Sequence, residues 1–381
     1  MGSSTSALAR AERALLTRGL EWWTQHGQPA EPQRAPPVEF TLSDVAVGDG
    51  LHIHTAAYRK TEAAHRRTPP AKPSEQTPLV AMHGFGTGLG IYYAALPALA
   101  EKWAGPVFAL DSLGCCLSSR PRWHLEKGEA CAVAKAESFF VDGLERWRAQ
   151  MKIDKMVLMG HSLGGYLAVA YAEKYPQHVD RLVLVSAVGV PLPPEELAEA
   201  HAQAPWLVRT VLSAWKNGFS PFSVAKLGLG SFIMRRYVER RFSDAPWVAK
   251  PELKEYFHGS WTGGSNSAGG YAHATLLRPG GRGELAYARE PLGPERIPGL
   301  QVSRVSALYG DRDWMDWRNM AAVREDVLAR GCGPDIEILY VAGASHNMQV
   351  DNPLGFVDAV LATCNGGKGA HRQTYGSKYF A

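Results

Sequence analysis

The sequence predicts an α/β fold, with a mostly parallel central sheet, helices on both of its faces and an inserted helical lid. The first observation is a rhythm of short apolar runs that are separated by helical segments. These strand-like runs lie at 79–82, 107–110, 156–159, 182–186, 302–309 and 336–341. Runs that are apolar along their whole length are typical of parallel strands buried on both faces. The second observation is an interruption of this rhythm between the fourth and the fifth run.

The interruption divides the predicted core into two parts. Residues 38–190 form the first part, and residues 299–365 form the second. The segment between them, 191–298, is rich in aromatic residues and glycine, and we expect it to form the helical lid. The first part begins with an alternating stretch that breaks at a Gly-Asp-Gly turn, which predicts a β-hairpin. Residues 366–381 are polar and glycine-rich, so we expect a disordered tail.

Residues 1–37 precede the core as a predicted helix and a proline-rich linker. The helix at 7–23 is amphipathic, except that Glu12 falls inside its apolar arc. Its arginines and its terminal pair Trp22-Trp23 favour association with a membrane surface, and a helix packed on the domain is the alternative. Gly2 after the initiator Met fits the N-myristoylation pattern, for which a chance match is the alternative.

Composition excludes several classes of protein. The 381 residues carry a net charge of only +4, and no zinc-finger or homeodomain pattern occurs, so we do not expect nucleic-acid binding. None of the five cysteines forms a C-x-x-C pair, so we expect no metal and no cofactor. The adjacent thiols Cys115 and Cys116 indicate a reducing compartment, and a cysteine nucleophile among them is an alternative to the serine described next.

The candidate nucleophile is Ser162, in the segment Gly160-His161-Ser162-Leu163-Gly164. An apolar strand precedes this segment and an alanine-rich helix follows it. G-x-S-x-G in that context is the nucleophile elbow of the α/β-hydrolase fold, where a sharp strand-to-helix turn exposes the serine. The small neighbours are needed because the turn leaves no room for side chains. The helix that follows directs its N-terminal dipole toward a developing anion.

A second loop supplies the predicted oxyanion hole. The apolar run at 79–82 ends in His83-Gly84-Phe85. In this fold, one backbone N–H of such a loop and the N–H after the nucleophile stabilise the oxyanion, so we assign these donors to Phe85 and Leu163. His83 is expected to shape the loop, and a role as base is the alternative.

The candidate acid and base follow the last two strands. Asp313 lies three residues after Gly310, the usual offset of the acid in this fold, while Asp311 and Asp316 are expected in turn or cap roles. His346 ends a loop of small residues after the last predicted strand. The order Ser162, Asp313, His346 is the chain order of this fold. A buried carboxylate of this kind holds the imidazole in one tautomer.

These motifs resemble the lipid-acting branch of the α/β-hydrolases, which includes lysophosphatidic acid acyltransferases, lysophospholipases and a cardiolipin deacylase. The resemblance rests on H-G-F-G-T-G at 83–88, D-S-L-G-C-C-L-S-S-R-P at 111–121, G-H-S-L-G-G-Y-L-A at 160–168, Y-G-D-R-D-W-M-D at 309–316 and H-N-M-Q-V-D-N-P at 346–353. The lipid-droplet lipase coactivator of animals is similar but carries Asn in place of Ser162. Here the serine is present, so the resemblance to this inactive relative no longer supports a protein without catalytic activity.

The resemblance gives one further candidate. In the family, a His-x4-Asp segment is associated with lysophosphatidic acid acyltransferase activity, which implies such a motif at His346 and Asp351. Because Asp351 precedes Asn352-Pro353, capping of a helix is an alternative reason for its presence.

We therefore predict a serine hydrolase that acts on fatty-acyl esters of phospholipids or lysophospholipids in lipid remodelling, with acyl transfer as an additional activity. Its expected partners are the lipid substrate, an acyl donor such as acyl-CoA, and a membrane or lipid-droplet surface. The expected location is cytoplasmic and peripheral to a lipid droplet or the endoplasmic reticulum, with the mitochondrion as an alternative. Two other functions remain open, a membrane or lipid-droplet scaffold that regulates a lipase and a soluble small-substrate esterase or aminopeptidase. Four lid arginines are candidates for phosphate contacts, with a solvated helix face as the alternative: Arg235, Arg236, Arg240 and Arg241.

Overall fold

The computed structural model confirms the predicted α/β fold. It describes residues 2–26, 36–66, 76–123, 132–190, 213, 230–264, 268–279, 286–293, 295–363 and 373–375. Within these residues, nine strands form one sheet in the order β1-β2-β4-β3-β5-β6-β9-β10-β11. The pairs β1–β2 and β2–β4 are antiparallel, and the other pairs are parallel.

The strands have the following bounds: β1 Val38–Gly48, β2 Leu51–Lys60, β3 Leu79–Met82, β4 Val107–Leu110, β5 Met156–His161, β6 Val179–Val185, β7 Leu277–Pro279, β8 Ala286–Ala288, β9 Arg304–Gly310, β10 Asp335–Val341 and β11 Gln373–Tyr375. The predicted hairpin is the β1–β2 pair. Strands β7 and β8 form a separate antiparallel pair.

The α-helices of the described residues have these bounds: α1 Gly2–His26, α2 Glu62–His65, α3 Leu96–Lys102, α4 Ala132–Gln150, α5 Leu163–Lys174, α6 Gly230–Arg241, α7 Lys250–Gly264, α8 Ala268–Leu276, α9 Arg318–Arg330, α10 Met348–Asp351 and α11 Pro353–Ala362. They cover both faces of the sheet. Leu158 of β5 packs into one apolar core, and its neighbours Val157 and Met159 pack into the other. This two-sided burial explains why the central strands β3 and β4 are apolar at every position.

Helix α1 packs on the domain, which was the alternative to a membrane contact. Leu8, Leu15 and Trp23 on its apolar face are at most 2% exposed. A Cβ added to Gly259 of α7 would lie 3.0 Å from the side chain of Leu8, so the two helices are in direct contact. Glu12 is fully buried because its carboxylate contacts His54. Linker residues 27–35 lie outside the described residues, and membrane association of residues 1–37 stays a prediction.

The described part of the lid contains α6, α7 and α8, together with the short β7–β8 pair that the sequence did not predict. Residues 191–229, apart from Ser213, lie outside the described residues. The prediction of a disordered tail is wrong for residues 373–375, which pair with Leu339–Val341 as strand β11. This pairing covers backbone groups of β10 that would otherwise lie at the edge of the sheet. The rest of 366–381 lies outside the described residues.

Candidate active site

Ser162 lies in the turn between β5 and α5, with φ 55° and ψ −115°. This backbone conformation is costly for a residue with a side chain, and it is typical of functional turns. The turn depends on glycine, since a Cβ at Gly160 would lie 2.2 Å from the carbonyl oxygen of Gly164. A Cβ at Gly164 would lie 2.6 Å from the carbonyl oxygen of His83. The predicted elbow geometry is therefore present at Ser162.

The oxyanion loop lies directly against this elbow. A Cβ added to Gly84 would lie 3.0 Å from the Cβ of Ser162, so the loop after β3 passes beside the nucleophile. Helix α5 begins at Leu163, and N–H groups in the first turn of a helix have no acceptor within it. This placement is compatible with the Phe85 and Leu163 donors, which stay a prediction.

His83 shapes the loop, as the sequence predicted. Its Nε2 accepts a hydrogen bond from the N–H of Ser112 at 3.0 Å, so Nδ1 carries the proton and donates to the carbonyl of Gly84 at 2.8 Å. Burial lowers the pKa of His83, which keeps the ring neutral. Both ring nitrogens are committed to backbone groups, and this leaves neither of them for a reacting hydroxyl.

Asp313 and His346 meet where β9 and β10 end. His346 Nδ1 lies 3.3 Å from Asp313 Oδ1, and the acid side chain is only 1% exposed. The same carboxylate accepts the N–H of Met315 at 3.0 Å and the hydroxyl of Ser186. Burial raises the pKa of Asp313, but these hydrogen bonds outweigh it and hold the pKa below its ordinary value. Asp313 is therefore an anion that can orient the imidazole of His346.

The loop with His346 is attached to the nucleophile elbow. Nε2 of His161 donates to the carbonyl oxygen of His346 at 2.8 Å, and the two rings are 4.9 Å apart. The ring of Trp314 also lies against the His346 ring, with a centroid distance of 5.0 Å. Within the described residues, the hydroxyl of Ser162 makes no hydrogen bond. The base His346 and the nucleophile Ser162 are therefore not hydrogen-bonded to each other in this structure. Such contacts are often long in unliganded enzymes and tighten when substrate binds.

His161 and Ser186 are site residues that the sequence analysis missed. Burial, followed by the nearby His346, lowers the pKa of His161 to about 3, so its ring is neutral and serves as a donor to the base loop. Its place inside the G-x-S-x-G segment is a signal that could have identified it. Ser186 follows β6, and only the parallel order of the strands brings it beside Asp313.

Asp351 does not cap a helix, and that expectation is wrong. The N-cap of α11 is Asn352, whose Oδ1 accepts the N–H of Gly355 at 3.0 Å. The Asp351 carboxylate instead accepts the N–H and the hydroxyl of Ser345, both at 2.8 Å. It also accepts two hydrogen bonds from the guanidinium of Arg241, at 3.2 and 3.3 Å.

The two other acids near Asp313 have turn roles, one of the two alternatives that were expected, and neither is the N-cap of α9, which is Trp317. Asp311 accepts the N–H groups of Gly343 and Ala344 at 2.9 and 3.1 Å, which fixes the start of the base loop. Asp316 accepts the N–H of Arg318 at 2.9 Å at the start of α9. Neither acid contacts the ring of His346 in the described structure.

The cysteine alternative gains no support. Cys115 and Cys116 are buried free thiols. Burial raises the pKa of both, so the thiolate that a nucleophile needs is disfavoured. Cys115 lies 3.9 Å from His273, but burial lowers the pKa of that histidine to about 3, and it cannot act as a cationic partner.

The four lid arginines do not converge on one phosphate site. Arg235 forms an ion pair with Glu255 at 2.9 Å, and Arg236 lies over the ring of Phe232 at 5.6 Å. Arg241 contacts Asp351 as described above, and Arg240 is exposed. The solvated-face alternative therefore fits all of them except Arg241.

The lid covers the oxyanion loop with aromatic side chains. The ring of Phe85 packs edge-on against Trp261 of α7 at 6.3 Å and lies 6.0 Å from His273 of α8. A Cβ at Gly86 would lie 2.9 Å from Trp261, so helix α7 is seated closely on the loop. The lid therefore places aromatic groups against the loop that passes beside Ser162.

Within the described residues, neither a metal-binding cluster nor a membrane-spanning helix is present. No group of three or more His, Cys, Asp or Glu side chains is placed to hold a metal ion. No helix in this part of the chain combines the length and apolarity needed to cross a bilayer.

Comparison with known proteins gives relatives that act on lipids. The chain is 30% identical over 350 residues to 1-acylglycerol-3-phosphate O-acyltransferase ABHD5 of Rattus norvegicus, covering 90% of each protein. It is 31% identical over 300 residues to the (lyso)-N-acylphosphatidylethanolamine lipase of Mus musculus, covering 76% of this chain and 80% of the lipase. A 1-acylglycerol-3-phosphate O-acyltransferase of Arabidopsis thaliana is 29% identical over 353 residues, covering 87% of this chain and 77% of that protein.

The fold is supported independently by a family model and by solved structures. The model described as the alpha/beta hydrolase fold matches residues 77–228. Carboxylesterase CesB of Bacillus subtilis superposes with a TM-score of 0.57 at 16% identity, covering 96% of this chain and 99% of the esterase. A membrane phospholipase A, described as a bacterial virulence factor, superposes with a TM-score of 0.58 at 18% identity, covering 96% and 93%. The chain belongs to the α/β-hydrolase fold family, in the lipid-acting branch that contains the 1-acylglycerol-3-phosphate O-acyltransferases.

Proposed function

We propose that the chain is a serine hydrolase of fatty-acyl esters in phospholipids or lysophospholipids, with Ser162, Asp313 and His346 as its catalytic triad. The observation that carries the proposal is the contact of Asp313 with His346 at 3.3 Å, in a loop bonded to the strained elbow of Ser162. The lipid substrate class is supported by relatives named as acyltransferases and lipases of phospholipids. The aromatic groups around Phe85 suit an acyl chain.

The chemistry follows from the position of each group. Nε2 of His346 takes the proton of the Ser162 hydroxyl, and the serine oxygen attacks the ester carbonyl carbon. The N–H groups of Phe85 and Leu163 stabilise the oxyanion, while the Asp313 carboxylate stabilises the imidazolium. His346 then protonates the departing alcohol as the carbon–oxygen bond breaks, which leaves an acyl group on Ser162.

The same acyl-enzyme accounts for acyl transfer. If water attacks, the product is a free fatty acid, and if a lysophospholipid hydroxyl attacks, the product is a new phospholipid. In both cases His346 removes the proton of the attacking group and returns it to Ser162. The acyl donor is a phospholipid or an acyl thioester such as acyl-CoA. A substrate of this kind places the protein at a membrane or lipid-droplet surface in the cytoplasm, which forms part of the proposal.

The test is turnover of a phospholipid and lysophospholipid panel by the purified chain and by Ser162→Ala. We expect the variant to lose at least about 10³-fold in turnover, since removing a triad member leaves only the residual catalysis of the site. Ser303→Ala is a matched control because Ser303 is exposed at the opposite end of β9 from Asp313. Lipid turnover that survives in Ser162→Ala contradicts the proposal, and vesicle binding without any turnover would favour a scaffold.

A further inference from the structure

The loop that carries His346 is bonded to a lid helix through a partly buried pair of charges. Arg241 is the last residue of α6, and its side chain is 22% exposed. Asp351 ends α10, five residues after His346, and its side chain is 11% exposed. The pair therefore joins the lid to the segment that follows the base.

Asp351 holds the residue that directly precedes His346. One of its oxygens, Oδ2, accepts both the backbone N–H and the hydroxyl of Ser345 at 2.8 Å. These two bonds fix the peptide before the base. On the opposite side, His161 fixes the carbonyl oxygen of His346. The backbone around His346 is thus held at two points. Asp351 bonds Ser345 before the base, and His161 of the elbow bonds the carbonyl oxygen of the base itself.

Arg241 makes this arrangement possible. A carboxylate as buried as that of Asp351 is costly without a partner, and two parallel N–H donors from one guanidinium offset that cost. The guanidinium reaches both carboxylate oxygens, at 3.2 and 3.3 Å, so it also sets the direction in which Oδ2 faces Ser345. The lid makes a second bond to the same segment, from Nε1 of Trp247 to the carbonyl oxygen of Val350 at 2.8 Å.

We propose that Arg241 and Asp351 are positioning residues, which place His346 for catalysis through Ser345 and make that placement depend on a docked lid. The proposal deepens the proposed function and rests on it. It also assigns the His-x4-Asp segment a physical role: the ring of His346 is paired with Asp313, while Asp351 acts on the backbone before it. The segment therefore does not form a second catalytic dyad in the described structure.

The test combines kinetics with a spectroscopic signature. In Arg241→Gln and Asp351→Asn we expect kcat on a water-soluble short-chain p-nitrophenyl ester to fall roughly 10- to 100-fold, the effect of misplacing a catalytic group by about an ångström. KM should change less than threefold, because this small substrate does not need the lid surface. We also expect the low-field NMR signal of the His346 Nδ1 proton, which faces Asp313, to broaden or move upfield in both variants.

Three further variants separate positioning from general stability. Arg241→Lys keeps the charge and should recover part of kcat and of the signal. The double variant Arg241→Gln, Asp351→Asn should lose no more than the more damaging single variant, because both act through one contact. Arg240→Gln removes the neighbouring exposed arginine on the same helix and should match the wild type in kcat and in melting temperature.

The outcomes separate this inference from the proposed function. A wild-type Nδ1 signal and wild-type kcat in Asp351→Asn would overturn the positioning role while leaving the triad intact. Equal losses in Arg240→Gln and Arg241→Gln would also overturn it. A wild-type chain that hydrolyses no ester contradicts the proposed function, and in that case the NMR comparison still decides whether Asp351 controls the placement of His346.

Discussion

Within the described residues, two buried histidines are hydrogen-bonded to carboxylates, and they differ in how many of their ring nitrogens are used. His54 on β2 is bonded through Nδ1 to Asp44 at 2.6 Å and through Nε2 to Glu12 at 2.9 Å. His346 is bonded to Asp313 through Nδ1, and its Nε2 makes no hydrogen bond within the described residues. Only the second histidine has a nitrogen that can exchange a proton with another molecule.

Burial and an acidic partner therefore do not by themselves make a histidine catalytic. Burial lowers the pKa of His54, but hydrogen bonds with Glu12 and Asp44 and the nearby Asp111 outweigh it and raise the pKa to about 9. His54 is therefore a cation at neutral pH, and it ties α1 to the β1–β2 hairpin. His346 instead joins two loops at the carboxyl edge of the sheet, next to Ser162.

Replacement of each histidine in turn should give the largest difference between the two. His346→Gln should lower turnover of a lipid ester by about 10⁴- to 10⁶-fold, since the proton of Ser162 then has no acceptor. His54→Gln should leave turnover within about threefold but lower the free energy of unfolding by about 3 kcal/mol, because Glu12 loses its buried partner. Steady-state kinetics and urea unfolding of both variants provide the check, and an exchange of the two effects would refute the assignment.

The acid of the proposed triad gives the next largest effect. Asp313→Asn should lower kcat by about 10⁴-fold, since an amide can hold the imidazole in the wrong tautomer. Asp311→Asn is the matched control, because the Asp311 carboxylate contacts backbone N–H groups of the neighbouring loop and the exposed Arg312 but not the ring of His346. Its loss in kcat should be below tenfold, and a loss as large as that of Asp313→Asn would argue against Asp313 as the acid.

The contacts of His54 with Glu12 and Asp44 form a tether between α1 and the β1–β2 hairpin. This tether predicts that the free energy of unfolding depends on pH. The pKa of His54 in the folded chain is about 9, against 6.5 for an ordinary histidine, and burial raises the pKa of Glu12 to about 7. Both groups bind protons more tightly in the folded chain, so the free energy of unfolding falls as pH rises. The contribution of His54 is complete below pH 6.5 and is lost as pH rises through 9.

Urea unfolding at pH 6.5, 7.5, 8.5 and 9.5 measures this loss, which we expect to be of the order of 2 kcal/mol. The double variant Glu12→Gln, His54→Gln removes both titrations and should flatten the profile over this range. A profile of the same slope in wild type and double variant would show that the tether is not its source.

The smallest expected effect concerns Ser186, the donor to Asp313 that the sequence did not identify. Ser186→Ala should lower kcat by about fivefold, which corresponds to about 1 kcal/mol for one lost hydrogen bond to the acid. Ser303→Ala should have no effect on kcat. If Ser186→Ala also leaves kcat unchanged, the hydroxyl contributes only to packing.

The sequence predicted the fold and the three triad candidates because the signals for them are local. Fully apolar runs coincide with β3 and β4 residue for residue, and the elbow glycines identify the turn at Ser162. Each of these signals depends on neighbours within a few residues, so a sequence pattern is enough to identify it. Asp313 and His346 followed from their places after the last two predicted strands.

Hydrophobic periodicity could not predict which polar side chains are paired in the structure. In the sequence, Glu12 is an acidic residue inside the apolar arc of an amphipathic helix. Its position is explained by its partner His54, which is 42 residues away in the chain. Arg241 and Asp351 are 110 residues apart, and each has its own local alternative, a solvated helix face or a cap. Periodicity reports which face of an element is buried, whereas the partner of a buried charge depends on tertiary packing.

The most direct test of the central claim is covalent labelling of the wild-type chain with a fluorophosphonate, followed by peptide mapping. We predict one adduct, on the peptide that contains Ser162. This adduct should be retained in His54→Gln and lost in Ser162→Ala and His346→Gln. An unlabelled wild-type chain, or an adduct on another residue that persists in Ser162→Ala, would contradict this prediction.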